Sequence, residues 1–389
     1  MEESLRLQRL PEYVFSQLDR LKEEEVSKGK DLIDLGMGNP DLPTPKPIVD
    51  AMIDALKNPA NFRYPTFDGL PQFCESVAKW NKRKYNVNLD PKTEVTPLIG
   101  SKEGLIHFAL AFVNPGDTTL VPLPAYPAHF NGTILAGGTP IVLPTTEKNG
   151  FIPDLDIIDD AIAKKAKMLI LSYPSNPTAS VAPKSFFEKA VAFAKKHNII
   201  LVHDFAYAEL YFDGKKLPSM LEIHGAKDVC IEFQTCSKTF SMPGWRIGFA
   251  VGNKNLIASL RRIKTNLDYG VFLANQRAAI AALNLSEDYL DETRKTYQRR
   301  RDIFVEGLNK LGWNLKKPQA TMYIWVPVPT GYSASSFSLD LLKKTGVVAA
   351  PGIAFGDLGE GFVRFALVDK ECRLEEALVR MEKAGIRYA

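Results

Sequence analysis

Lys238 sits in Ser237-Lys238-Thr239-Phe240-Ser241-Met242-Pro243-Gly244-Trp245-Arg246-Ile247-Gly248. The spacing of lysine, glycine and arginine in this run fits an aldehyde cofactor bound through both a carbonyl and a phosphate, and so points to pyridoxal phosphate. A lysine in water holds its proton to about pH 10 and is then a poor nucleophile. Imine formation needs a desolvated or cation-flanked pocket that lowers this pKa. Arg246, eight residues on, offers that positive field and a planar fork for a phosphate dianion. Taken alone, the run also fits an ordinary surface loop carrying Lys and Arg.

Other segments supply chemistry that a lysine-bound cofactor would use. Gly100-Ser101-Lys102-Glu103-Gly104 opens a helix pattern beginning at Leu105, where backbone N–H groups and the Ser101 and Lys102 side chains could face an anion. A serine N-cap is the plainer reading. In Ser175-Asn176-Pro177-Thr178 the Asn176 amide could donate to a phenolate oxygen, although Asn-Pro is also a common turn. In His203-Asp204-Phe205-Ala206-Tyr207 a carboxylate could keep a pyridine nitrogen protonated, and Tyr207 could reach the ring hydroxyl. Protonation matters because the ring must accept the electrons of a substrate carbanion. A helix cap or a turn is the other reading of Asp204. Tyr126, in a proline-rich turn, fits a ring stack or a core aromatic, and Tyr64 lies in a polar loop where its hydroxyl could bind phosphate. Arg364 stands between apolar neighbours, so it needs an anionic partner, either a substrate carboxylate or a structural salt bridge.

The elements that must position these residues alternate in character. Thr118–Val121, Lys167–Leu171, Ile199–Val202 and Val229–Phe233 read as buried strands, and 183–197 reads as a helix with proline in its first turn. This alternation predicts an α/β fold with a mainly parallel sheet covered by helices on both faces, its ligand at the carboxyl ends of the strands. A long helix from Glu287 to Leu311 leads to strand-like Met322–Val326 and Phe362–Ala366, which predict a smaller α/β domain. The expected large domain is 46–295, with 1–45 and 296–389 forming the small one.

At 389 residues the chain exceeds what one small core usually supports. Its net charge of +4 is too weak to imply a nucleic-acid partner, and Arg299-Arg300-Arg301 reads as a solvated helix face. No stretch approaches the roughly 20 apolar residues of a membrane span and the amino terminus has no signal-like pattern, so no membrane and a cytoplasmic location are expected. The four cysteines form no Cys-x-x-Cys pair and read as reduced and mostly structural. Five scattered histidines show no ligand spacing; His203 and Asp204 point to opposite faces of a strand, so no metal is expected.

Asn176, Asp204, Tyr207, Lys238, Arg246 and Arg364 follow the order found in the class I/II aminotransferases of PLP fold type I, and the chain resembles that family over essentially its full length. The motifs Gly-Ser-Lys-Glu-Gly, Pro-Ser-Asn-Pro-Thr, His-Asp-x-Ala-Tyr, Ser-Lys-x-x-x-Met-x-Gly-Trp-Arg-Ile-Gly and Val-Arg-Phe-Ala-Leu carry the resemblance. Within the family it looks most like the bacterial alanine (glutamate–pyruvate) branch, with LL-diaminopimelate aminotransferases as relatives. The resemblance implies that Lys238 holds the cofactor and moves the α-proton, that Asp204 holds the ring nitrogen, and that Asn176 and Tyr207 meet the ring oxygen. Tyr126 would stack on the ring, and Ser101, Lys102, Thr235, Ser237 and Arg246 would contact the cofactor around its phosphate. Tyr64 would reach the phosphate from the partner subunit of a homodimer, and Arg364, Asn176 and the Gly38 backbone would hold the substrate α-carboxylate.

Aspartate-specific members carry an additional arginine, and the corresponding stretch from Asn266 to Phe272 has none. L-Alanine with 2-oxoglutarate is therefore the first expectation. LL-diaminopimelate as donor in lysine biosynthesis is the second, with a broad-specificity or aspartate enzyme behind it. A carbon–sulfur lyase could use the same fold and lysine, and a PLP-sensing regulator would need a DNA-binding domain for which the chain shows no room.

Overall fold

The computed structural model describes residues 2–11 and 14–388. Its strands are β1 (Ile33–Asp34), β2 (Val95–Leu98), β3 (Thr118–Leu123), β4 (Thr139–Pro144), β5 (Ala166–Leu171), β6 (Ile200–Asp204), β7 (Cys230–Thr235), β8 (Gly248–Gly252), β9 (Tyr323–Pro327), β10 (Val347–Val348), β11 (Ala350–Pro351) and β12 (Phe362–Ala366). Seven of them form one sheet in the order β2-β8-β7-β6-β5-β3-β4. β4, β3, β5, β6 and β7 are parallel, β8 is antiparallel to β7, and β2 is antiparallel to β8. The expected mainly parallel sheet is present, with one reversed strand that the residue pattern did not reveal.

Alternation along the strands builds two cores. Leu169, Leu171 and Leu201 face one side, packing with Phe73, Val77 and Trp80 of helix Pro71–Tyr85 and Phe187, Ala190 and Val191 of helix Lys184–His197. Met168, Ile170 and Val202 face the other, against Leu105 and Phe108 of helix Ser101–Phe112 and Ile257 and Leu260 of helix Lys254–Leu267. Each leucine, isoleucine, valine, methionine or phenylalanine among them contributes roughly 1.5–3 kcal/mol when fully buried. Helix Lys184–His197 shows why these segments stop where they do. Pro183 stands at its N-cap, Asn198 adopts the left-handed conformation after its end, and Lys195, Lys196 and His197 complement the dipole in its last turn.

A second assembly joins the two ends of the chain. β11, β12 and β9 form an antiparallel sheet, and β1 pairs in parallel with β10. Ile33 and Leu35 share a core with Phe337, Val363, Phe365 and Leu374. Helix Glu287–Lys310 spans both assemblies, with Leu290 in the core of the large sheet and Tyr297, Phe304 and Leu308 in that of the small one. Among the described residues no helix is long and apolar enough to cross a membrane.

Two local expectations are corrected. Arg300 and Arg301 are buried: Arg300 donates to Asp41 at 2.7 and 2.8 Å, and Arg301 to Asp213 at 2.7 and 3.0 Å. Their carboxylates come from loops remote in sequence, so the local pattern read as a solvated face. The helix expected from Leu105 begins at Ser101 and its N-cap is Gly100, so Ser101 is a first-turn residue and not the cap.

Candidate active site

The parallel strands all end on one side of the sheet, and the reversal of β8 brings its start to that same side. β6 ends at Asp204, and β7 ends at Thr235 and runs into the short helix Cys236–Thr239 that carries Lys238. β8 starts at Gly248, just after Arg246, opposite both Thr235 of β7 and Leu98 of β2. β2 therefore ends on the same side and hands the chain to Ser101 and Lys102, while the loops after β3 and β5 bring Tyr126 and Asn176. The second assembly closes over them with Gly38, Tyr323, Phe355 and Arg364. All the expected site residues except Tyr64 line the resulting cavity of about 210 Å³.

Lys238 Nζ donates to the Gly38 carbonyl at 2.6 Å. Burial, then the guanidinium groups of Arg364 and Arg246, bring its pKa down to about 7. A neutral amine is thus available near physiological pH, the state that attack on a carbonyl requires. Gly100, at φ +77°, lets the Arg246 guanidinium lie against the backbone at the start of helix Ser101–Phe112, where a Cβ would collide with it. Thr235 Oγ1 accepts from the Ser237 amide at 3.2 Å.

Asp204 is buried, and its Oδ2 lies 2.9 Å from His129 Nε2. Its Oδ1 is buried with no hydrogen-bond partner among the described residues. Such an acceptor beside a cavity suits a ligand N–H, and with the cationic and hydroxyl groups around Arg246 it fits the two ends of pyridoxal phosphate. His203, the preceding residue, faces away as expected and meets Glu232 Oε2 at 2.9 Å.

Arg364 is buried and donates to Asn176 Oδ1 and to the Gly36 carbonyl, both at 2.7 Å. Its guanidinium lies 4.2 Å from the ring centre of Tyr323 and 4.7 Å from that of Phe355. The Tyr207 hydroxyl is 2.8 Å from that of Tyr323. Burial first and Tyr323 second push the Tyr207 pKa well above the ordinary phenol value, so Tyr207 stays neutral.

His129, Tyr323 and Phe355 belong to the cavity or its support, yet the residue patterns did not single them out. Tyr323 stood in a predicted strand and His129 follows Tyr126 by three residues, but only the folded contacts give either a role. Tyr64 is 86% exposed and lies against Tyr269, ring centres 5.2 Å apart. Elsewhere, Glu103, His107 and Asp268 gather in a metal-like group, but Lys264 Nζ already sits 2.9 Å from Glu103 and 2.7 Å from Asp268.

The model of the aminotransferase class I and II family matches residues 30–380. The chain belongs to that family. It is 49% identical to LL-diaminopimelate aminotransferase 2 of Trichormus variabilis over 100% of both chains, and 50% identical to LL-diaminopimelate aminotransferase of Aquifex aeolicus over 98% of each. A substrate-bound structure of BacF from Bacillus subtilis matches it with a TM-score of 0.96 and 40% identity, covering 100% of this chain and 99% of that one. Aspartate aminotransferase of Thermus thermophilus matches at 28% identity with a TM-score of 0.92, covering 99% and 100%. The fold is that of the fold type I aminotransferases, and the protein is a pyridoxal-phosphate-dependent aminotransferase.

Proposed function

We propose that this aminotransferase takes its amino group from LL-diaminopimelate and passes it to 2-oxoglutarate. The observation that carries the reading is its end-to-end likeness to relatives bearing that name. The residue pattern put L-alanine first and LL-diaminopimelate second; the relatives' names support the second.

In this reading Ser101, Lys102, Thr235, Ser237 and Arg246 hold the phosphate, and Asp204 keeps the ring nitrogen protonated. Asn176 and Tyr207 meet the ring oxygen and Tyr126 covers a ring face. Arg364, with Asn176 and Gly38 beside it, grips the substrate α-carboxylate and so fixes which bond at the α-carbon is presented for cleavage. Bound pyridoxal phosphate supplies an electron sink for the charge left when the α-proton departs. Lys238, neutral above about pH 7, takes that proton and returns it.

Two copies associate, with Tyr64 of each reaching the other's phosphate site. Ile53, Leu56, Phe62, Tyr64, Phe67, Leu267, Tyr269 and Phe272 are exposed on adjoining elements, the kind of apolar surface that a second copy covers. Sedimentation at twice the chain mass is the expected result. The two-domain division at 46 and 296, with the shared helix Glu287–Lys310 between two cores, and a cytoplasmic location belong to the same reading.

Steady-state assays with 2-oxoglutarate test the substrate. LL-diaminopimelate should show the highest kcat/KM among it, L-alanine and L-aspartate; a higher value for L-alanine would restore the order suggested by the residue pattern.

A further inference from the structure

Tyr323 joins three parts of the cavity that come from distant points in the chain. Its hydroxyl is 2.8 Å from that of Tyr207, and both side chains are buried. Its ring carries the Arg364 guanidinium at 4.2 Å. Its hydroxyl also fills the space that a Cβ at Gly38 would need, and Gly38 in turn accepts from Lys238.

We propose that Tyr323 is a positioning residue whose hydroxyl donates to that of Tyr207, leaving the Tyr207 proton directed at the ring oxygen of the cofactor. The inference rests on the placement of Tyr207 against that oxygen given above. A phenol has a single proton and can accept as well as donate. Were Tyr207 to spend its proton on Tyr323, its lone pairs would face an acceptor on the ring. Donation from Tyr323 leaves a satisfied chain in which each hydrogen bond polarises the next. The small sheet fixes Tyr323 for this task. In the β9–β12 register Tyr323 is opposite Ala366 and Trp325 opposite Arg364, which makes Tyr323 and Arg364 diagonal neighbours. The ring therefore serves the carboxylate-binding arginine while the hydroxyl serves Tyr207, and the two duties are separable.

Tyr323→Phe keeps the ring and removes the hydroxyl. In the holoenzyme the expected result is a KM for the amino donor within about twofold of wild type and a half-reaction rate lower by ~3–10-fold. The pH midpoint of the cofactor's absorbance change should rise by about half a unit, because the anionic ring oxygen loses part of its donor. In a Tyr207→Phe background the same change should add nothing. If Tyr323→Phe fails to fold, a fluorinated tyrosine at 323, a stronger donor of nearly the same shape, should lower the midpoint. An unmoved midpoint in either variant, or a shift that persists in the Tyr207→Phe background, overturns the inference while leaving Tyr207 in place. No spectral effect of Tyr207→Phe itself removes the placement of Tyr207, and the inference with it.

Discussion

Partly buried beside the cavity and near two guanidinium groups, Lys238 has its pKa brought down to about 7, by burial first and then by Arg364 and Arg246. The apoprotein should therefore capture pyridoxal phosphate at a rate that rises through pH 7 and levels off soon after. A rise continuing toward pH 10 would show an ordinary lysine. The same shift sets a stability trend. The folded pKa lies below the unfolded value, so the unfolded chain binds the extra proton between about pH 7 and 10.5, and this group makes the apoprotein more stable as pH rises through that window. Lys238→Met should stabilise the apoprotein at pH 6 by about 2–4 kcal/mol, a gain that fades toward pH 10.5 in denaturant titrations. Lys238, Asp204, Arg246 and Arg364 were legible in the sequence because their residue types are costly or rare where they stand, and chemistry supplies the reason. Tyr323 and His129 were not, since each acts through a partner 116 or 75 positions away.

At the scale of elements, the loop after helix Lys254–Leu267 is pinned to helix Ser101–Phe112 by a small charge cluster. His107 Nδ1 lies 2.5 Å from Glu103 Oε1 and 3.3 Å from Asp268 Oδ2, and Asp268 Oδ1 accepts from the Gly270 amide at 2.8 Å. Burial alone would lower the His107 pKa, but the two carboxylates overcome it and raise it to about 9. Because the folded value is raised, the stabilisation is complete below the unfolded pKa of about 6.5 and is lost as pH climbs through 9. His107→Gln should cost about 1–3 kcal/mol at pH 6 and little above pH 10. A penalty independent of pH would show that packing, not charge, is what the histidine contributes. The strand runs were readable to within about two residues because buried parallel strands are continuous apolar stretches. The reversal of β8, the helix start at Ser101 and the burial of Arg300 and Arg301 were hidden, because each depends on which segments become neighbours.

Over the whole molecule, one edge of the seven-stranded sheet supplies Lys238, Asp204, Asn176 and Arg246, and the assembly of the two chain ends supplies Gly38, Tyr323 and Arg364. The residues proposed to hold the cofactor thus stand on the large sheet, and the proposed carboxylate site lies where Arg364 and Gly38 of the second assembly meet Asn176 of the first. This layout was foreshadowed by strand alternation and by the polar residues at strand ends, whereas the choice of amino donor was not, because a side-chain pocket is assembled from separate loops. The decisive measurement is a rapid-mixing spectrum of the holoenzyme with excess LL-diaminopimelate and, separately, with L-alanine and L-aspartate. LL-diaminopimelate as amino donor requires fast loss of the bound cofactor's absorbance with that substrate, its return on adding 2-oxoglutarate, and neither change in Lys238→Ala. Fast, reversible loss with L-alanine and none with LL-diaminopimelate would contradict it.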